Sequence, residues 1–336
     1  MAHQIVIITE GGKDIGFGHI SRCFSLYRVL TNKGEAPRFL VNDDPSALSY
    51  LSNLGALRIN TRSKPETLED LPSLEGDIAI VDSYRLPLSA YEEIAQRFRL
   101  LVSIDDENRL PYPKGIIVNG ALYAETLPYP KKTDALYLLG PSYFMLRPEY
   151  ESVPEHTIRE EVQDILITVG GADPHRLTER LIPIAGHTTE ATLHVLTTDG
   201  FEDLETIHRI AETVKGNIHF YHNHHKISDI VIQCDVALSA GGQTTYELAM
   251  CGIPTIGICT ATNQLLNLQA WEERGFLLFA GWENDPTLKK NIENSLLALS
   301  SKERRKRMSK AGKKTIDGRG AVRVVEKIFS YFSSSA

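Results

Sequence analysis

Short β-branched apolar runs alternate along this chain with segments whose apolar residues recur at helical spacing. Residues 5–8, Ile-Val-Ile-Ile, predict a buried strand, and Ile20, Cys23, Phe24, Tyr27 and Leu30 mark a helix that follows it. Further strands are predicted at 36–41, 77–81, 100–104 and 116–118, with helices over 46–51 and 88–98. Residues 124–154 are rich in Pro and Tyr and carry no long periodic segment, so they predict a linker. A second alternation then begins: strands at 164–169, 192–196, 217–221, 236–239 and 255–258, with helices between them, and a final helix over 320–331. Such β-α-β series predict parallel sheets with right-handed crossovers, one in each half of the chain.

The polar residues fall where these strands end. The first strand leads into a loop with four glycines and one acid, Gly11-Gly12-Lys13-Asp14-Ile15-Gly16-Phe17-Gly18, and then His19 at the helix entry. A strand, glycine loop and helix N-terminus present N–H groups to an anionic ligand. An imidazole there can act as a general base, since its unperturbed pKa is near neutral. The third glycine of the dinucleotide fingerprint is missing, so the loop does not predict NAD. Asp82 with Tyr84, Asp105-Asp106 and Asn119 end the other strands of this half. In open parallel sheets the ligand lies at such ends, although a strand-end acid also caps helices. Asp105 and Asp106 are contiguous, so their side chains point apart in extended backbone. Arg147 lies in the predicted crossing between halves.

In the second half, Gly170-Gly171-Ala172-Asp173-Pro174 repeats the strand, glycine loop and helix unit. Ser239-Ala240-Gly241-Gly242-Gln243-Thr244-Thr245-Tyr246-Glu247 is the stronger motif. The N–H groups of Gly242, Gln243 and Thr244 can cradle a diphosphate, and Glu247, one turn on, can accept hydrogen bonds from a ribose diol. Asn263 and Gln264 offer uncharged donors to phosphate or sugar hydroxyls. The run His222-Asn223-His224-His225 lacks the spacing of a metal site, and Asn223 is expected to cap the helix after it.

Composition narrows the picture. The 336 residues suit about two domains, and a net charge of −7 argues against a nucleic-acid partner. The basic run Lys302-Glu303-Arg304-Arg305-Lys306-Arg307 follows Ser300 and Ser301 and reads as a solvated helix face. Four cysteines without a Cys-x-x-Cys pair predict neither a zinc ribbon nor a disulfide scaffold. No run is long enough to span a bilayer, and no signal region opens the chain, so a cytoplasmic protein is expected.

In order and spacing, these motifs resemble the GT-B glycosyltransferase superfamily. More narrowly, the chain resembles the UDP-2,4-diacetamido-2,4,6-trideoxy-β-L-altropyranose hydrolases of pseudaminic acid biosynthesis and the related spore-coat polysaccharide proteins. The stretches that carry the resemblance are Ile15-Gly16-Phe17-Gly18-His19 with Arg22, Val81-Asp82-Ser83-Tyr84, Ile104-Asp105-Asp106, Val118-Asn119, Leu146-Arg147-Pro148-Glu149-Tyr150, Gly170-Gly171-Ala172-Asp173-Pro174, the 239–247 motif and Asn263-Gln264. The resemblance implies two Rossmann-like domains with parallel sheets facing a central cleft: 1–147 with the catalytic loop, 148–315 for UDP, and a helix in 316–336 packing back on the first domain.

It further implies His19, Tyr84 and Asn119 as catalytic residues. Gly18, Arg22, Asp105, Arg147, Gly170, Gly171, Asp173, Ser239, Gly241, Gly242, Gln243, Thr244, Glu247, Asn263 and Gln264 are implied to bind substrate. The activity implied is metal-independent and cofactor-free hydrolysis of the UDP-sugar. A GT-B glycosyltransferase and a non-catalytic nucleotide-sugar binder are the alternatives. One departure stands out: where the hydrolases carry Asp-His-Tyr, this chain has Asp82-Ser83-Tyr84, so any duty of that second histidine is absent or carried elsewhere.

Overall fold

The computed structural model describes residues 2–12, 15–63, 66–67, 75–130, 134–150, 153–224 and 226–334. Lys13 and Asp14 of the glycine loop, and His225, lie outside the described residues. The chain divides into two compact units, Met1–Glu151 with Gly318–Ala336, and Ser152–Asp317.

Unit 1 runs β1 (Ile5–Thr9), α1 (Gly18–Asn32), β2 (Arg38–Asn42), α2 (Pro45–Asn53), β3 (Ile59–Arg62), β4 (Gly76–Asp82), α3 (Leu88–Arg97), β5 (Phe98–Ile104), β6 (Gly115–Asn119) and β7 (Ala135–Leu139). The strands form one sheet in the order β3-β2-β1-β4-β5-β6-β7, every pairing parallel. Alternate residues of β1 serve opposite faces, as the period of an extended chain dictates. Ile5 and Ile7 pack with α1 residues such as Ile20 and Leu26, whereas Val6 and Ile8 pack with Tyr91 and Ile94 of α3. Covered on both faces, the strand is apolar throughout, which is why its run is unbroken in the sequence.

Unit 2 runs β8 (Asp164–Thr168), α4 (Leu177–Thr188), β9 (Thr192–Thr197), α5 (Leu204–Ala211), β10 (Ile218–His222), α6 (Ser228–Val231), β11 (Val236–Ala240), α7 (Thr244–Cys251), β12 (Thr255–Cys259), α8 (Leu265–Glu273), β13 (Leu277–Trp282), α9 (Leu288–Leu299) and α10 (Lys302–Thr315). Its sheet is also wholly parallel, in the order β10-β9-β8-β11-β12-β13. The final helix, α11 (Gly320–Ser334), belongs to unit 1, where Val324, Val325 and Ile328 join the α1 face of the core. Its first residue must be glycine, because a Cβ on Gly320 would stand 2.0 Å from the Phe144 carbonyl oxygen.

The sequence reading missed three strands. β3 is polar and β7 only partly buried, both at sheet edges, and β7 lies inside the Pro- and Tyr-rich stretch read as linker. β13 is half-buried at the other sheet's edge and was left unassigned. In both units the strand order reverses direction at one point, between β1 and β4 and between β8 and β11. The carboxyl ends of those strands are where such sheets bind ligands.

Candidate active site

At the switch point of unit 1 the ends of β1 and β4 lie side by side, with Thr9 in register with Asp82. Helix α1 starts beyond the glycine loop and brings His19 and Arg22, one turn apart, over that point. The His19 Nδ1 lies 2.7 Å from Asp82 Oδ1, and Asp82 is completely buried. Arg22 donates to the same carboxylate from Nε at 2.5 Å and Nη2 at 2.6 Å. Its Nη1 reaches both oxygens of Asp106 at 2.7 and 2.9 Å. Tyr84 completes the group: its hydroxyl donates to Asp106, and its ring meets the His19 ring edge-on at 4.6 Å between centroids.

The electrostatics fix the protonation states. Burial alone would raise the Asp82 carboxyl, but Arg22 and His19 outweigh it and hold the group well below the usual carboxylate range. An ionised carboxylate accepts, so Nδ1 of His19 carries the proton. The Arg22 Nη2 contact to that nitrogen, at 3.2 Å, is then a close approach of two donors drawn to one carboxylate. In the neutral imidazole, that tautomer leaves the lone pair on Nε2. Burial and the Asp106 charge push the Tyr84 phenol well above its ordinary value, so it stays protonated and donates.

Two residues expected here do other work. Asp105 accepts the backbone N–H of Asn108 at 2.7 Å and of Arg109 at 3.3 Å, and its oxygens also take the hydroxyls of Tyr112 and Tyr129. Its carboxylate ties down the loop after β5, and the neighbouring Asp106 joins His19's group instead. Asn119 is fully buried: its amide donates to the Tyr129 hydroxyl at 3.0 Å and its oxygen caps Ala121 N–H at 2.9 Å. The structure therefore groups Asn119 with Asp105, not with His19. Gly18 opens α1. Arg147 is half-buried, 3.5 Å from Glu149 and over the Tyr150 ring. Asp82 and Asp106 stand in the strand-end clusters of the sequence reading without an assigned role, and Glu10, an isolated acid directly after β1, is absent from it.

In unit 2 the glycine pairs follow the two switch-point strands, Gly170-Gly171 after β8 and Gly241-Gly242 after β11. A Cβ on Gly170, Gly171 or Gly242 would meet nothing within 4 Å, so open space adjoins these backbones. Gly241 is different: a Cβ there would stand 2.6 Å from the Leu268 side chain, so only glycine lets α8 pack this close. The loop is held from beneath by Thr245, whose hydroxyl donates to Gly242 O at 2.7 Å and accepts Asn267 Nδ2 and Trp271 Nε1, each at 3.0 Å. Asn267 also donates to Gly241 O at 2.8 Å. No side chain caps the start of α7; Thr245 and Tyr246 N–H bond Gly242 O at 3.2 Å and Gln243 O at 3.0 Å, and the N–H groups of Gly242, Gln243 and Thr244 precede them at the helix entry. Glu247 is buried in the same helix, and Ser239 is buried with its hydroxyl on Ala240 O.

Three further assignments change. Gln264 turns its oxygen inward to accept Gly241 N–H and Thr260 N–H, both at 3.1 Å, and so braces the two loops against each other, while Asn263 remains exposed. Asp173 is consumed as the N-terminal anchor of α4, accepting Leu177 and Thr178 N–H at 2.8 Å each. Asn223 does not cap a following helix: its oxygen accepts Asp199 N–H at 3.2 Å, and His222 pairs with the Asp199 carboxylate at 3.0 Å. Among the described residues, no three His, Cys, Asp or Glu side chains come together as a metal site, and no helix is long and apolar enough to cross a membrane.

This architecture is the GT-B fold, two α/β units each built on a parallel sheet. Acinetobacter baumannii MurG matches it with a TM-score of 0.71 at 13% identity, over 97% of this chain and 99% of that one. The calicheamicin glycosyltransferase CalG4 matches at 0.64 and 12% identity over 99% of each chain. Staphylococcus aureus MnaA, solved with UDP, matches at 0.59 and 14% identity over 99% of this chain and 97% of that one.

The curated relatives include the spore coat polysaccharide biosynthesis protein SpsG of Bacillus subtilis, 22% identical over 96% of both chains. The pseudaminic acid cytidylyltransferase and UDP-2,4-diacetamido-2,4,6-trideoxy-beta-L-altropyranose hydrolase of Helicobacter pylori is 24% identical over 83% of this chain and 48% of its own length. An uncharacterized protein of Methanocaldococcus jannaschii is 23% identical over 75% of this chain and 55% of its own. The chain thus spans about half the length of these last two relatives. No protein-family model matches it.

Proposed function

We propose that this chain is an enzyme acting on nucleotide sugars in surface-polysaccharide biosynthesis, and that it hydrolyses a UDP-activated diacetamido-trideoxy hexose to UDP and free sugar. The observation that carries the reading is the bond from His19 Nδ1–H to the buried Asp82 carboxylate. It fixes the tautomer that turns Nε2 into a proton acceptor, and it stabilises the imidazolium formed when that nitrogen takes a proton. In the proposed step, Nε2 removes a proton from water and the water oxygen bonds to the anomeric carbon. The bond from that carbon to the diphosphate oxygen breaks, and UDP leaves with the electron pair. Tyr84, held neutral beside His19, orients the water or the sugar through its hydroxyl oxygen. Arg22 keeps Asp82 ionised and holds both carboxylates in place.

Unit 2 supplies the nucleotide half of the reading. The open backbone at Gly170, Gly171 and Gly242 and the uncapped start of α7 suit a diphosphate, and Glu247 suits the ribose diol. The hydrolase activity of the H. pylori relative supports the choice of sugar.

A transferase is the second reading, favoured by the glycosyltransferases among the structural matches. The same base would then take its proton from an acceptor hydroxyl. Pure protein incubated with UDP-2,4-diacetamido-2,4,6-trideoxy-β-L-altropyranose, with and without acceptor sugars, separates the two. Hydrolysis predicts UDP and free sugar by NMR without any acceptor, whereas UDP release that requires an acceptor would establish transfer.

A further inference from the structure

We infer that Glu10 is a positioning residue for Tyr84, acting through the turn that Ser83 and Tyr84 form after β4. Glu10 directly follows β1 and Ser83 directly follows β4, and the register of Thr9 with Asp82 sets the two strand ends next to each other. Glu10 is completely buried. Its Oε2 accepts the Ser83 hydroxyl at 2.5 Å and its Oε1 accepts the Tyr84 N–H at 2.9 Å. Arg62, also buried, brings a guanidinium nitrogen to 3.6 Å from Oε2 and so supplies the countercharge a buried carboxylate requires.

The turn at Ser83 has other anchors. Ser83 Oγ accepts Arg85 and Leu86 N–H at 3.2 and 3.1 Å, and Ser83 O accepts the Tyr91 hydroxyl and Arg109 at 3.1 and 2.9 Å. These hold the turn without Glu10. The Tyr84 peptide N–H depends on Glu10, and the orientation of that peptide sets where the phenol meets His19 and Asp106. The Ser83 hydroxyl is small enough to admit the acid and donates a hydrogen bond to it. Glu10 touches no reacting atom, and its effect runs through Tyr84.

The inference rests on His19 being the base, so its test needs a readout that does not depend on turnover. Two full-length variants discriminate. Glu10→Ala removes the acceptor for Tyr84 N–H, while Glu10→Gln keeps an oxygen there and removes only the charge. In Glu10→Ala, kcat is expected to fall about 10- to 100-fold, the scale of a ~1 Å misplacement, with UDP affinity unchanged. Glu10→Gln is expected to regain most of that kcat, although its melting temperature falls because Arg62 loses its countercharge. Labelling with 3-fluorotyrosine, and assigning Tyr84 with Tyr84→Phe, gives a fluorine resonance that should move in Glu10→Ala and stay in Glu10→Gln.

An unmoved Tyr84 resonance in Glu10→Ala, or equal displacement in both variants, overturns the inference. Should Glu10→Ala not fold, Glu10→Asp, which draws the acceptor back by one methylene, must move the same resonance. If wild-type protein releases no UDP from any UDP-sugar, the functional reading fails, and the fluorine result still decides whether Glu10 holds Tyr84.

Discussion

The imidazole of His19 and the carboxylate of Asp82 are joined at 2.7 Å across two elements, the first turn of α1 and the end of β4. If this pair supplies the base, His19→Ala or His19→Asn should lower kcat about 10²- to 10⁴-fold, the usual contribution of a positioned general base. UDP affinity should be unchanged, since the proposed nucleotide loop is in unit 2. Steady-state UDP release and calorimetric UDP titration check the two halves of the prediction. Wild-type turnover in either variant would remove His19 from the mechanism.

Arg22 joins Asp82 to Asp106 through one buried guanidinium. Lysine offers neither its planar fork nor two faces, so Arg22→Lys is not conservative here. Breaking a buried pair leaves a carboxylate without its partner, and the expected loss of stability is about 3 kcal/mol. Urea denaturation of the two proteins at pH 7 measures it.

Acid should weaken unit 1 through Asp82. The folded pKa of this carboxyl is depressed despite its burial, because Arg22 and His19 favour the charged form. Its contribution is therefore complete above the unfolded value of about 4 and is lost as pH falls below that. Denaturation midpoints from pH 7 down to pH 3 should decline more steeply in the wild type than in Asp82→Asn. Parallel declines would mean that other carboxylates govern acid stability.

Thr245 couples the glycine loop of unit 2 to α8. Thr245→Val keeps the shape and deletes the hydroxyl, leaving Trp271 Nε1–H without its acceptor and removing one of the two acceptors of Asn267 Nδ2. A destabilisation of about 1–3 kcal/mol is expected for each buried donor left unmatched, with weaker UDP binding because Gly242 O loses one of its two bonds and keeps only the Thr245 N–H. Calorimetry should show both effects, and an unchanged UDP affinity would detach this loop from the nucleotide.

Turnover should be insensitive to EDTA, since the base proposed is an imidazole already oriented by a carboxylate. Assays with and without chelator decide this, and a loss of activity that added divalent cation restores would count against the mechanism.

The fold was legible where strands are buried on both faces. Short, β-branched apolar runs such as 78–81 mark central strands, because a strand covered on both faces carries no polar alternation. The edge strand Ala135–Leu139 is apolar too, but it holds no β-branched residue and lies among the Pro and Tyr of 124–154, which is how it escaped. The switch-point glycines and His19 were likewise visible, being tied to a strand end by chain order alone. What sequence could not separate was Asp105 from Asp106, adjacent and chemically identical, one spent on two tyrosines and its own loop and the other turned to Arg22. Nor could it single out Glu10, whose partners Arg62 and Ser83 are far away in the chain. Roles that depend on contacts between distant segments leave no local pattern.

The last helix has a consequence for how the molecule is made. Because α11 closes the α1 face of unit 1, that unit is written in two pieces with the whole of unit 2 between them. On a ribosome the N-terminal sheet emerges first but cannot complete its core until the final helix is released. Unit 2, continuous in the chain, is free to finish earlier. Premature termination after unit 2 would therefore spare the later-made half and leave the first-made half with an apolar face exposed to chaperones and proteases.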